Sequence, residues 1–245
     1  MKAVLLGATK GMGRALARQM ATRGDRLFLL GRSQEDLSRS ASDLEIRGAK
    51  GKVGSARCDL LDEATFAPAL DRAEAELEGF DTVVVTAGSF ADQTSLENDP
   101  ELLSSLLRSN FVGTLGFCED ARKRLLASGG GTLCVFSSVA GDRARKPVIL
   151  YGAAKSGLSH YLEGLDHKFR RQGLVVVTAK PGFVQTGMTA ALEPPPFAGD
   201  PEPVAKTILK AIDRGRPVVY APPIWRFVLF AIRMFPRALM RRLSF

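Results

Sequence analysis

A doubly wound parallel sheet in a single α/β domain is the fold the sequence predicts, and three observations predict it. Short aliphatic and β-branched runs alternate with helical patterns over most of the 245 residues, the order of a β–α chain. Several runs, VVV at 83–85 and at 175–177 among them, are apolar without interruption, as strands covered on both faces are. The first run leads straight into the glycine-rich turn GATKGMG, which opens a helix.

KAVLLG, residues 2–7, reads as a strand, RALARQMATRG, 14–24, as a helix that Gly24 ends, and RLFLLG, 26–31, as a second strand. Further strands are expected at KVGSARC (52–58), DTVVVTAG (81–88), TLCVFSS (132–138), LVVVTAKPG (174–182) and PVVYAP (217–222), with helical stretches between most of them. No repeat or second-domain boundary interrupts residues 1–223. Within them, 182–203 is expected to be a substrate loop, because EPPPFAGDPEP, Glu193 to Pro203, is too rich in proline for regular structure. Residues 224–245 remain as an amphipathic C-terminal extension.

The length allows one sizeable core, and 45% hydrophobic with 24% charged residues is an ordinary globular composition. Cys58, Cys118 and Cys134 are odd in number and lack CxxC spacing, which predicts reduced thiols in a cytoplasmic protein. His160 and His167 have no partner at ligand spacing, so no metal site is expected. The opening MKAVLLGATKG starts a strand too early for a signal peptide. Net charge is +8, but residues 201–245 hold nine basic and two acidic residues, so all but one unit of it lies there. A basic, apolar tail is not the polar, aromatic-interleaved surface of a nucleic-acid binder.

Glycines in GATKGMG let the backbone turn tightly and bring amide N–H groups and a helix N-terminus against a pyrophosphate, as in a Rossmann-type site. The second strand ends LLGRS, with Arg32 where a carboxylate would meet a free ribose 2′-hydroxyl. Arg32 can grip a 2′-phosphate bidentately and Lys10 can reach it as a point charge. NADPH is therefore the expected cofactor over NADH.

Downstream, YGAAK sets Tyr151 and Lys155 four residues apart, on one face of a helix with Cβ atoms roughly 5–6 Å apart. With these motifs and their order, the chain resembles the short-chain dehydrogenase/reductase family along nearly its whole length. GATKGMG resembles the family's cofactor turn, with Leu6 where a threonine is usual, and implies that Gly7, Thr9, Lys10, Gly11, Met12 and Gly13 touch the cofactor. CDL supplies Asp59 and Leu60 for the adenine. VTAG stands where NNAG is usual and supplies Ala87 and Gly88; the two absent asparagines weaken that motif's strand-stabilising role. SNFVG supplies Asn110, FSSVAG supplies Ser138, Tyr151 follows thirteen residues later, and KPGFVQT supplies Pro181, Val184 and Thr186 about the nicotinamide.

The resemblance implies carbonyl reduction or its reverse, with Tyr151 as proton donor, Ser138 orienting the carbonyl oxygen and Lys155 binding the nicotinamide ribose. The Lys155 cation is expected to bring the phenol pKa down from about 10. Asn110 is expected to hold a water beside the lysine. Spacing favours Ser138 over Ser137. A homodimer or higher homo-oligomer through the helices of Asn110 and Tyr151 is also implied.

The extension carries Arg226, Arg233, Arg237 and Arg241 within roughly 80° of a helical arc, with apolar residues around the rest. Pro236 is expected to split it into two short pieces, neither able to span a bilayer. It suits a lid over the substrate, a peripheral contact with the cytoplasmic face of a membrane, or both. SSVAGDRARKPVILYGAAKSGL, PGFVQTGMT and the ending are also similar to reductases of polyprenylphosphoryl keto-sugars, which implies a lipid-linked ketone. Arg143, Arg145 and Lys146 of DRARKP are then candidates for an anionic substrate group. The alternatives are a soluble or acyl-chain ketone of 3-oxoacyl or steroid-like type, and a cofactor-binding regulator without catalysis.

Overall fold

The computed structural model describes residues 1–243. Seven parallel strands, β1 (Lys2–Leu6), β2 (Arg26–Gly31), β3 (Gly54–Arg57), β4 (Thr82–Val85), β5 (Gly131–Phe136), β6 (Leu174–Pro181) and β7 (Val218–Ala221), form one sheet. Their order is β3-β2-β1-β4-β5-β6-β7. The chain thus winds outward from β1 in one direction, returns to β4 and winds in the other, which leaves a crevice at the carboxyl ends of β1 and β4.

Neighbouring residues on each strand enter opposite layers. Leu5, Leu29, Val84 and Val177 pack with α1 (Gly11–Thr22), α2 (Gln34–Ile46) and α8 (Pro201–Asp213) through Leu16, Leu37 and Ile208. Val4, Phe28, Val83 and Val176 pack on the other face against Phe66 and Leu70 of α3 (Phe66–Leu77), Phe117 of α6 (Gly113–Ala127) and Leu158 of α7 (Ile149–Phe169). Coverage on both faces is why these strands read as continuous apolar runs. The short helices α4 (Gln93–Asn98) and α5 (Pro100–Leu107) lead into a π-helical turn at Arg108–Val112. The three cysteines are buried and free.

Two boundaries differ from the sequence reading. Helix α1 begins at Gly11 rather than Arg14, because the glycines of the turn form its first turn. Helix α8 begins at Pro201, inside the segment read as loop to Pro203; a proline is tolerated at the first helical position, where its missing N–H has no intrahelical partner. The extension is two helices, α9 (Trp225–Met234) and α10 (Arg237–Arg242), separated at Pro236 as its ring predicts.

Gly113, at the start of α6, fixes how the end of the π-helical turn meets the loop after β3. A Cβ there would run into the Leu60 carbonyl oxygen, a backbone atom that cannot swing aside. Gly113→Ala is therefore expected to lower unfolding free energy by about 1–3 kcal/mol, measured by urea denaturation; an unchanged midpoint would show that the two backbones are not in fixed contact.

Candidate active site

The crevice begins where β1 turns into α1. Gly7 has φ +94°, and a Cβ on it would come 2.5 Å from the Ala87 amide nitrogen, so the turn and the segment after β4 run backbone against backbone. A Cβ on Gly13 would come 2.5 Å from the Gly7 carbonyl oxygen. No side chain caps α1 and no acidic residue stands in its first turn, whereas Ser33 caps α2 and Asp99 caps α5. The free N–H groups of α1 and its dipole are left for an anion.

A cleft of about 390 Å³ opens there, lined by Gly7, Thr9, Lys10, Gly11, Met12, Gly13, Arg32, Asp59, Leu60, Ala87, Gly88 and Thr186. All twelve are among the residues expected from the sequence to touch a cofactor. Cys58, Thr86, Ser89, Ser109 and Met188 line it too; Cys58, Thr86, Ser109 and Met188 stand inside CDL, VTAG, SNFVG and PGFVQTGMT but are not among the contacts expected from the sequence, and Ser89 directly follows VTAG. Pro181 and Val184 do not line it: Pro181 ends β6 in register with Ala221, and Val184 is packed in the core with Val204.

Arg32 is exposed at the cleft and makes no ion pair or side-chain hydrogen bond among the described residues. Lys10, read as a second phosphate ligand, lines the cleft and is paired with Asp36 at 3.1 Å. Arg39 and Lys10 together hold the Asp36 carboxyl below the usual carboxylate range. Asp59 accepts from the Leu61 N–H at 3.1 Å and so shapes its own loop.

Ser138 sits just past β5 and caps the short 3₁₀ turn Val139–Gly141, its hydroxyl accepting from the Ala140 N–H at 3.1 Å. Its neighbour Ser137 is committed elsewhere, donating to the Lys155 carbonyl at 2.9 Å. Tyr151 and Lys155 occupy the first turns of α7. The Tyr151 ring packs edge-on against Phe90 with centroids 5.1 Å apart, and the Lys155 ammonium is 5.9 Å from its centre. Burial pushes the phenol up to about 12, with the Ser138 hydroxyl pulling the other way.

Lys155 is 5% exposed, and Nζ donates to the Phe136 carbonyl at 2.9 Å. Burial pushes it down to about 8. The expected lowering of the phenol by the lysine is not what the protein alone shows: desolvation acts on both groups against their charged forms, and the group opposing it at the phenol is Ser138.

Asn110, wholly buried in the π-helical turn, is bonded twice to Ser89: Oδ1 accepts the backbone N–H and Nδ2 donates to the carbonyl, both at 2.7 Å. Its amide clamps the loop after β4. A Cβ on Gly88 would lie 2.9 Å from Asn110 Oδ1 and 3.7 Å from Lys155 Nζ, which places Gly88 between them.

The extension closes this end of the sheet. Trp225 and Leu229 of α9 pack on Val139, the residue after Ser138, and the Trp225 indole lies where a Cβ of Gly182 would be. Arg143 Nη2 donates to the Phe235 carbonyl at 2.6 Å and Lys146 Nζ to the Arg241 carbonyl at 2.8 Å. Those two cations, read as candidates for a substrate anion, hold the tail instead. Asp142 accepts from Lys180 at 2.5 Å and from the Tyr220 hydroxyl at 2.6 Å, tying the same loop to β6 and β7.

A glycine-lined cleft at the switch point, with a serine, a tyrosine and a lysine grouped next to its lining residue Gly88 though not lining it themselves, suits a nucleotide-dependent oxidoreductase. The family model described as short chain dehydrogenase matches residues 1–196. An uncharacterized oxidoreductase of Mycobacterium tuberculosis is 32% identical over 240 residues, covering 98% of this chain and 96% of the relative. Carbonyl reductase family member 4 of Xenopus tropicalis is 28% identical over 217 residues, covering 84% and 88%. A short-chain type dehydrogenase/reductase from Mycobacterium ulcerans shares the fold, with a TM-score of 0.82 at 22% identity over 99% of this chain and 98% of that one. The chain belongs to the short-chain dehydrogenase/reductase family, whose members use NAD(P)(H).

Lys155 makes the stability pH-dependent. Its ordinary pKa of 10.5 falls to about 8 on folding, so between those values the unfolded chain binds more protons and stability rises with pH. The charge-burial cost is full below about pH 8 and relieved toward 10.5. Wild type is expected to gain stability relative to Lys155→Met across that window in denaturation series; parallel profiles would show that the ammonium is not desolvated.

Proposed function

We propose that the protein is an NADPH-dependent reductase of a ketone carried on a lipid or a polyprenylphosphoryl sugar. The observation that carries the substrate class is the apolar α9, seated on Val139 directly after Ser138. A reaction centre bordered by an apolar, basic segment suits an isoprenoid chain with a phosphate. The likeness of the C-terminal half to decaprenylphosphoryl-2-keto-erythro-pentose reductase supports the same reading.

The glycine cradle, the uncapped N-terminus of α1 and the exposed Arg32 fit a phosphorylated dinucleotide. When bound, the reduced nicotinamide supplies hydride to a carbonyl carbon. Negative charge then develops on the carbonyl oxygen, and Tyr151 donates its proton there. A phenol pushed up to about 12 stays protonated at neutral pH, which suits an acid in the reductive direction. Ser138 donates a hydrogen bond to the same oxygen and orients it. Lys155 binds the nicotinamide ribose, and its charge near the phenolate stabilises the anion left after proton transfer. Pro181, Val184 and Thr186 belong to the segment that closes over the nicotinamide; Pro181 and Val184 act through the backbone they fix, because their side chains lie outside the cleft.

Similarity to a carbonyl reductase favours a second reading, a soluble or acyl-chain ketone as substrate. NADPH oxidation against a panel that pairs a 2-keto polyprenylphosphoryl pentose with 3-oxoacyl and steroid-like ketones separates the two. Turnover confined to the soluble ketones would overturn the lipid-linked reading.

Two substitutions test the roles. Tyr151→Phe is expected to cut kcat by about 10²–10⁴-fold while NADPH titration by fluorescence stays near native; near-native turnover would remove Tyr151 as the acid. Arg32→Ala is expected to raise KM for NADPH by about tenfold or more through loss of a charge-assisted contact and to leave KM for NADH unchanged. Equal effects on both cofactors would mean that Arg32 does not read the 2′-phosphate.

A further inference from the structure

Helix α9 is apolar on two opposite faces. At 100° per residue Trp225, Leu229 and Ile232 share one of them, and Trp225 and Leu229 are buried against Val139. The opposite face carries Phe227, Phe230 and Met234, exposed to 69%, 70% and 73%. Arg226 and Arg233 lie on the flank between the two faces, both exposed. A helix apolar on both sides is one that is covered on both sides, and the inner cover is the protein itself. Seven arginines and no acidic residue follow Asp213 in the sequence.

We infer that the outer face of α9 is a docking surface for an anionic lipid bilayer. Phe227, Phe230 and Met234 enter the boundary between headgroups and acyl chains, while the flanking arginines lie along the helix and reach lipid phosphates. Charge selects this occupant. An isologous contact with a second copy would set two arginine flanks against each other with no carboxylate in the segment to offset them, whereas a lipid phosphate supplies the opposite charge. The contact is peripheral, since no helix among the described residues is long and apolar enough to cross a membrane. Docking also fixes where the reaction centre sits, because the same helix is anchored at Val139 and its following residue Phe235 is held by Arg143. The inference stands on the tail's own surface and does not depend on the substrate proposed above.

The test floats the full-length protein with phosphatidylcholine vesicles containing phosphatidylglycerol, and with phosphatidylcholine alone. The native protein is expected to float with the anionic vesicles, less with the neutral ones, and less as salt is raised. Phe227→Ser/Phe230→Ser/Met234→Ser is expected to lose about tenfold or more in partitioning, with thermal midpoint and NADPH binding unchanged because all three side chains point away from the core. Phe230→Asp alone should act in the same direction. Native protein left unfloated by both lipids, or variants that float as well as the parent, would overturn the inference. So would sizing in lipid-free buffer in which the triple variant falls to half the parent's mass, since a second copy would then cover this face. Ketone turnover in solution reads the substrate proposal separately.

Discussion

Two hydrogen bonds between β5 and α7 set the geometry of the reaction centre. Lys155 Nζ donates to the Phe136 carbonyl, and Ser137, the next residue of the strand segment, donates back to the Lys155 carbonyl. One helical residue is thus bonded at its backbone and at the end of its side chain to two consecutive residues, so α7 cannot slide along the strand without breaking both. Tyr151 lies about one turn earlier on the same face, and Ser138 follows Ser137. Their mutual placement follows from this registration. Glycines make the approach close enough: a Cβ on Gly141 would come 2.7 Å from the Lys155 carbonyl carbon, and one on Gly152 would come 2.8 Å from the Ala140 oxygen.

That registration carries an electrostatic cost. An ammonium in low dielectric favours its neutral form, and a phenol does likewise. A lysine drawn toward neutrality and a tyrosine held as phenol are a poor arrangement for stability alone, where an apolar pair would pack without desolvation. Shifts of this kind, from burial at a cleft, are the mark of groups placed for chemistry. The cofactor end differs: there the protein presents backbone N–H groups and one exposed arginine, and spends little on burying charge.

The central strands β1, β2, β4, β5 and β6 were legible because they are covered on both faces, which writes itself into the sequence as an apolar run; the edge strands β3 and β7 are only partly covered. Of the twelve cleft residues, those of the glycine turn and the end of β2 were legible because a β–α chain brings them to the switch point, and Asp59, Leu60, Ala87, Gly88 and Thr186 were legible through the family resemblance. What was not legible is pairing across distance. Nothing in GATKGMG says that Lys10 meets Asp36, and DRARKP does not show that Arg143 and Lys146 face carbonyls more than ninety residues away. Asn110 was found by its motif but its partner was not, since Ser89 is joined to it only through the fold. Helix starts at Gly11 and Pro201 were hidden because glycine and proline signal turns, and they are tolerated in a first turn where no intrahelical donor is needed.

The tail and the reaction centre are one mechanical unit. The loop after Ser138 gives Val139 to the α9 interface, Asp142 to Lys180 and Tyr220, and Arg143 and Lys146 to carbonyls of the tail. A buried carboxylate with two partners adds little net stability over an apolar packing, but removing one partner is costly. Its effect is therefore to permit one arrangement of loop, β6 and β7. A tail held through that arrangement cannot lift from the protein without freeing the segment that begins at Ser138. Any displacement of α9 is consequently coupled to the segment that begins at Ser138.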